Sequence, residues 1–208
     1  MAMVCAPPAL EMKTLRRTRL VQDVLERAKQ GALEITGISG AGKTTLAGEV
    51  CEYLKSSEPD TRALYVAVEP NRSFRDVIVG FAFNLRGTGL DQLFPIAVKY
   101  TSSNEESLNK IARAIALIGQ YGIVIVDLVG GSCSDEFASE LAKFLEKLPH
   151  STFRFVVMGQ ESSFRYLSSV HREALGFPKV LDIPGFSFEE FLELMKQVRE
   201  VELPREEL

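Results

Sequence analysis

The sequence predicts an α/β fold built on a mainly parallel, five-stranded sheet. Three observations carry that expectation. Strand-like and helix-like segments alternate five times along the 208 residues, as expected when helices supply the crossovers of a parallel sheet. The strand-like segments are near-continuous apolar runs, which suits a sheet covered on both faces. One glycine-rich turn, Gly37-Ile38-Ser39-Gly40-Ala41-Gly42-Lys43-Thr44, joins the first strand to the helix after it.

That turn reads G-x-x-x-x-G-K-T, the P-loop pattern, and it stands in the strand–loop–helix context the motif requires. Gly37, Gly40 and Gly42 let the backbone bend tightly and approach a phosphate closely. Successive backbone N–H groups, those of Ser39, Gly40, Ala41 and Gly42 among them, then form an anion nest. The helix that follows adds its positive end. Lys43 is expected to reach the β- and γ-phosphates, and the Thr44 hydroxyl to hold Mg²⁺. Thr45 is placed to donate to the α-phosphate.

Composition bounds the rest. With 46% hydrophobic and 25% charged residues, the chain has the make-up of an ordinary globular domain. A net charge of −4 advertises no general affinity for nucleic acid or acidic membranes. No apolar run is long enough to span a bilayer, and Pro7-Pro8 interrupts any secretory signal. Cys5, Cys51 and Cys133 are odd in number and widely spaced. That pattern suits reduced thiols in the cytoplasm and gives no metal-site spacing. His150 and His171 stand alone and read as surface or structural residues.

Taken in order, residues 1–14 form a Pro-bearing lead-in. Leu15 to Ala28 suits a helix with Leu20, Val24, Leu25 and Ala28 on one face. Its Lys13, Arg16, Arg17 and Arg19 read as a solvated face, with contact to a nucleotide base, a phosphate or a partner as the alternative, and Gly31 ends it. Leu33–Thr36 is the first strand. Thr44 to Lys55 is a helix with Leu46, Ala47, Val50, Cys51 and Leu54 at helical spacing. Ala63–Val68 is the second strand, and it runs into Glu69-Pro70. A carboxylate there lies at the edge where open α/β sheets bind ligands. Ser73 is a plausible cap for a helix reaching Leu85. Arg86–Pro95 reads as a loop, and Asn104 to Gln120 as a long helix.

Gly122-Ile123-Val124-Ile125-Val126-Asp127 is the second strong signal. A buried strand ending in aspartate has the Walker B form, whose carboxylate holds Mg²⁺. Leu128–Ser132 reads as a loop. Asp135 to Leu148 is a helix with Asp135 and Glu136 in its first turn, where acids suit the macrodipole. Phe153–Met158 is the fourth strand, followed by Gly159-Gln160-Glu161. Gln160 stands where a polar side chain can sense the γ-phosphate. Val180–Ile183 is the fifth strand. Ser187 caps a last helix, with Glu190 at the capping-box position. The core spans residues 15–203, and 204–208 form an acidic tail.

These motifs resemble the three-layer α/β/α P-loop NTPase class that inserts a strand between the P-loop and Walker B strands. The resemblance implies the strand order 5-1-4-3-2. Arg19–Leu25, Val157-Met158-Gly159-Gln160-Glu161-Ser162-Ser163 and Val180–Leu192 further resemble the archaeal STAND and AAA-like ATPases. In that family the last stretch closes the nucleotide-binding core. The sequence departs from it in three places. Leu128 stands where a second, water-activating acid is usual. A basic residue near a glycine is expected before the fifth strand, but the stretch here is His171-Arg172-Glu173-Ala174-Leu175-Gly176. The helical lid and winged helix would follow the core, but only Leu203-Pro204 and an acidic stretch do. A fragment, a stand-alone core or a borrowed lid is the expectation.

RecA- and KaiC-like ATPases also lack an acid after Walker B and take it from another strand end. Glu69 resembles that arrangement, with Glu136 a weaker candidate. Arg165 and Arg172 are candidates for an arginine finger offered to a neighbouring subunit. The resulting expectation is an Mg-ATP-binding protein, a slow ATPase used as a conformational switch. Its catalytic residues would be Lys43, Glu69 and Gln160, its metal residues Thr44 and Asp127. Its partners would be ATP or ADP and a protein or a second copy, with nucleic acid possible but not indicated by charge. The alternatives are a non-hydrolysing nucleotide module, or a RecA/KaiC-like ATPase working on nucleic acid or protein.

Overall fold

A computed structural model describes residues 18–58, 61–68, 73–84, 93–100, 105–117, 122–129, 134–148, 153–160, 179–185, 187–189 and 192. The elements run α1 (Thr18–Ala28), β1 (Leu33–Thr36), α2 (Lys43–Ser57), β2 (Arg62–Val68), α3 (Phe74–Asn84), α4 (Leu93–Val98), α5 (Glu105–Leu117), β3 (Gly122–Leu128), α6 (Asp135–Glu146), β4 (Phe153–Met158) and β5 (Lys179–Asp182). The five strands form one sheet in the order β2-β3-β4-β1-β5. Read from the other edge this is 5-1-4-3-2, as expected. All four strand pairings are parallel.

Parallel pairing with helical crossovers buries both sheet faces, and the side chains divide between them by period two. Leu64, Val66, Val68, Val124, Val126 and Leu128 face one layer, where α3, α5 and α6 supply Phe74, Phe81, Ile111, Leu141 and Phe144. Tyr65, Ile123, Ile125, Val156 and Met158 face the other, where α1 and α2 supply Val24, Leu46, Val50 and Leu54. Every residue of β3 is buried. It lies inside the sheet between β2 and β4, which accounts for its unbroken apolar run.

Three local readings change. The segment read as a loop over Arg86–Pro95 holds the start of α4, at Leu93. Pro95 is the third residue of that helix, where a missing N–H costs no intrahelical bond. Leu128 belongs to β3 instead of opening the loop after it: it pairs with Val68 across the sheet. Ser73 does not cap α3 through its oxygen. Its hydroxyl and its backbone N–H both donate to the Asp76 carboxylate, at 3.1 and 2.8 Å. That is the reciprocal half of a capping box, with the acid at the third helical residue. Ser134, unremarked in the sequence, accepts from the Phe137 N–H at 3.2 Å and opens α6. Phe188 and Glu189 are helical; Glu190 and most of the predicted last helix lie outside the described residues.

One side chain on α6 gives a pH prediction. Glu140 is half-buried, and its Oε1 has no hydrogen-bond partner among the described residues. Burial first, then Glu136, pushes its pKa above the usual glutamate value, with Lys143 opposing. An acid whose folded pKa is raised binds more protons folded than unfolded, so stability falls as pH rises through that window. Glu140→Gln is therefore expected to raise the melting temperature at pH 7, with the gain shrinking as pH drops toward the ordinary glutamate value. A gain that persists undiminished in acid contradicts this account.

Candidate functional site

The site lies at the C-terminal ends of the strands, where β1 passes into α2. The turn after Thr36 has positive φ at Gly37 (158°), Gly40 (80°) and Gly42 (83°). Gly42 stands at the N-cap of α2 in the left-handed region, with no side-chain cap. Its carbonyl accepts the first helical bond, from the Leu46 N–H at 2.8 Å. The N–H groups of Lys43, Thr44 and Thr45 precede that bond and have no partner within the helix. Donors at a helix N-terminus beside a glycine-rich turn are an anion-binding arrangement.

The glycines are required for different reasons. A Cβ on Gly37 would lie 2.8 Å from the Ile183 carbonyl oxygen, whereas one on Gly40 meets nothing within 4 Å. The Ile183 N–H in turn donates to the Thr36 carbonyl at 2.8 Å. Gly37 thus lets the loop pass directly under the end of β5. Gly40→Ala is expected to cost about 1–2 kcal/mol, the price of a left-handed backbone with a Cβ. Gly37→Ala is expected to cost more, because backbone must move. Paired thermal melts check the order, and equal losses would contradict it.

Lys43 folds back over the loop. Its ammonium donates to the carbonyls of Gly37 at 2.7 Å and Ile38 at 2.9 Å. Burial holds its pKa below the usual lysine value, while Asp127 and then Asp182 oppose that shift. An ammonium so placed gains from an anion at the loop. Asp182 ends β5 and accepts from the Thr36 hydroxyl at 2.9 Å.

The end of β3 meets the start of α2. Asp127, 1% exposed, accepts at Oδ2 from the Thr44 hydroxyl at 2.7 Å. The same Oδ2 accepts from the Tyr65 hydroxyl at 3.0 Å. Tyr65 is also buried, and burial followed by the Asp127 charge pushes its pKa far up, so the phenol stays a donor. Thr44 and Asp127 offer a hydroxyl and a carboxylate, hard oxygens that fit Mg²⁺. The described residues hold no group of three or more His, Cys, Asp or Glu that could hold a metal. The donor set therefore suits a cation shared with phosphate oxygens and water, the usual manner of Mg²⁺.

Among the other residues predicted for the site, Ser39 is exposed in the turn, Ala41 is buried, and Thr45 is half-buried in the first turn of α2. Gln160 is half-buried two residues past β4, beyond Gly159, whose N–H donates to the Ile35 carbonyl at 3.0 Å. Glu136 is exposed in the first turn of α6. Glu69, Arg165, Arg172, His150, His171, Cys5 and Cys133 lie outside the described residues. Cys51 is a free, half-buried thiol whose pKa burial raises to about 11, which leaves it unreactive near neutrality. Sequence reasoning missed Tyr65, Thr36 and Asp182. The available signal for Tyr65 was a hydroxyl in an otherwise aliphatic strand.

No protein-family model matches the chain, and no curated protein matches its sequence. Solved structures do match its fold. Cdc6p from Pyrobaculum aerophilum superposes with a TM-score of 0.67 at 16% identity, over 97% of this chain and 54% of that one. The Aeropyrum pernix ORC2 protein, solved in ADPNP–ADP complexes, gives 0.58 at 18% identity, over 91% and 53%. Domain III of the Thermotoga maritima replication initiation protein DnaA gives 0.56 at 18%, over 91% and 72%. The chain spans about half the length of the Cdc6p and ORC2 chains it matches. At these identities the likeness establishes the fold alone: this chain shares the architecture of the matched parts of Cdc6p, ORC2 and DnaA.

Proposed function

We propose that this chain is an Mg-ATP-binding P-loop protein that hydrolyses ATP slowly and uses the γ-phosphate as a conformational switch. The observation that carries the reading is the 2.7 Å hydrogen bond from Thr44 to Asp127. It joins the phosphate-loop helix to the end of the central strand, beside a buried lysine. In this reading the amides of residues 39–45 and Lys43 hold the phosphates. Thr44 and Asp127 would hold Mg²⁺, which would offset the negative charge of the phosphates. Glu69 orients the attacking water, and Gln160 registers the state of the γ-phosphate. The solved ORC2 complexes with ADPNP and ADP support a nucleotide as the ligand. Residues 15–203 act as an ATPase core of the archaeal STAND/AAA-like kind, with a protein partner or second copy supplying an arginine. Among the described residues no helix is long and apolar enough to cross a membrane.

A second reading, a nucleotide module that binds without turnover, is favoured by Leu128. That residue follows Asp127, is buried in β3, and offers no acid to activate water. Turnover of Mg-ATP decides between them, measured on the wild type beside Lys43→Ala and Glu69→Gln with binding checked in each. The proposal predicts turnover lost in both variants and binding kept in Glu69→Gln. Binding without turnover in the wild type, with every partner tried, would leave the module reading. DNA-stimulated turnover would extend the likeness to the replication initiation protein from fold to activity.

A further inference from the structure

Tyr65 is a hydroxyl in the wrong place for a purely apolar strand. Its neighbours on the same sheet face, Ile123 and Ile125, fill the layer against α1 and α2 with hydrocarbon. Tyr65 is paired across the sheet with Ile125, one pleat before the pair Ala67 and Asp127. From there its ring runs along the layer and its hydroxyl reaches Asp127 Oδ2 at 3.0 Å. Thr44 donates to the same oxygen at 2.7 Å. Two O–H donors converge on one carboxylate oxygen, which fixes rotation about the Cβ–Cγ bond and sets the direction of the other oxygen. Thr44 has a single proton, and that proton is committed to Asp127, so only its lone pairs are left for a cation.

We propose that Tyr65 is a positioning residue for magnesium: its hydroxyl locks the Asp127 carboxylate so that Thr44 and Asp127 present oxygen lone pairs to the ion. The inference rests on the nucleotide-binding reading of the site and goes beyond it in assigning β2 a part in the metal chemistry. Groups that orient a metal ligand from behind have a known scale of effect, about 10–100-fold in metal affinity on removal. Tyr65→Phe removes only the oxygen and keeps the ring that packs in the layer.

The test is the affinity of the full chain for ADP, measured in EDTA and again in excess Mg²⁺. In the wild type Mg²⁺ tightens ADP binding. In Tyr65→Phe the affinity in EDTA stays within about twofold of wild type, while the enhancement by Mg²⁺ falls about tenfold. Replacing Tyr65 with para-aminophenylalanine, which keeps a donor at the same reach, retains the enhancement; para-methylphenylalanine loses it. That pair carries the test if Tyr65→Phe does not fold. A role confined to packing moves the melting temperature and leaves the enhancement intact in every variant, which overturns the inference alone. If the wild type binds no ADP, or binds it with no help from Mg²⁺, the reading of the site falls and the inference with it.

Discussion

On the proposed function, Lys43→Ala is expected to weaken ATP binding about 100-fold and to leave the fold standing. The magnitude follows from the bonds lost. An ammonium that donates to phosphate oxygens makes charge-assisted hydrogen bonds worth roughly 1.5–3 kcal/mol each, and one such bond near the top of that range is already about two decades of affinity. The small effect on folding follows from the lysine's own position. Among the described residues it donates to two loop carbonyls, and burial already works against its charge. Alanine removes a charge the free protein keeps at some cost, so the melting temperature moves by a few degrees at most. Equilibrium titration beside a thermal melt checks both halves. Unchanged affinity, or a collapsed fold, contradicts the account.

Phe74→Ala should do the reverse. Phe74 is 1% exposed and opens α3 against three other rings. Tyr100 and Phe137 meet it edge-on, with centroids at 6.1 and 6.0 Å, and Phe144 lies tilted at 5.7 Å. Truncating a buried phenylalanine costs about 3–5 kcal/mol, and edge-on ring pairs add to the upper end of that range. For a chain of this size each kcal/mol is roughly 2–4 °C, so a fall of roughly 6–20 °C in melting temperature is expected. Phe74 packs on the layer of α3, α5 and α6, whereas Thr44, Lys43 and the loop belong to the α2 side of the sheet. Nucleotide affinity of the folded variant therefore stays near wild type. A Phe74→Ala protein that melts like the wild type, or that loses binding while folded, would refute this division of the molecule.

The contrast between the two substitutions shows what was legible in the sequence. The loop was, because three glycines and a lysine at fixed spacing form a pattern that survives any change of context. The sheet was too: β3 lies between two strands and two helical layers, so it must be apolar throughout, and Asp127 at its end stands out. Strand order came from resemblance, since apolar runs do not say which neighbour they pair with. The short helix α4 was hidden because six residues with an internal proline carry too little periodicity. Tyr65 was hidden for a different reason. Its ring satisfies the apolar pattern, and its hydroxyl finds a partner 62 residues away, a contact that exists only once β2 and β3 are in register.

The same limit applies to the joint at the heart of the site. Thr44 and Asp127 were each expected to meet the metal, but their direct bond is a product of where α2 begins relative to the end of β3. If that joint is the core of a nucleotide site, a nucleotide must be felt there first. The most direct measurement is the amide spectrum of the ¹⁵N-labelled chain titrated with Mg-ADP. The account predicts saturable shifts that are largest at Gly37–Thr45 and at Asp127, and absent from the same titration of Lys43→Ala. No shifts at saturating Mg-ADP, or shifts centred away from the loop, would contradict it.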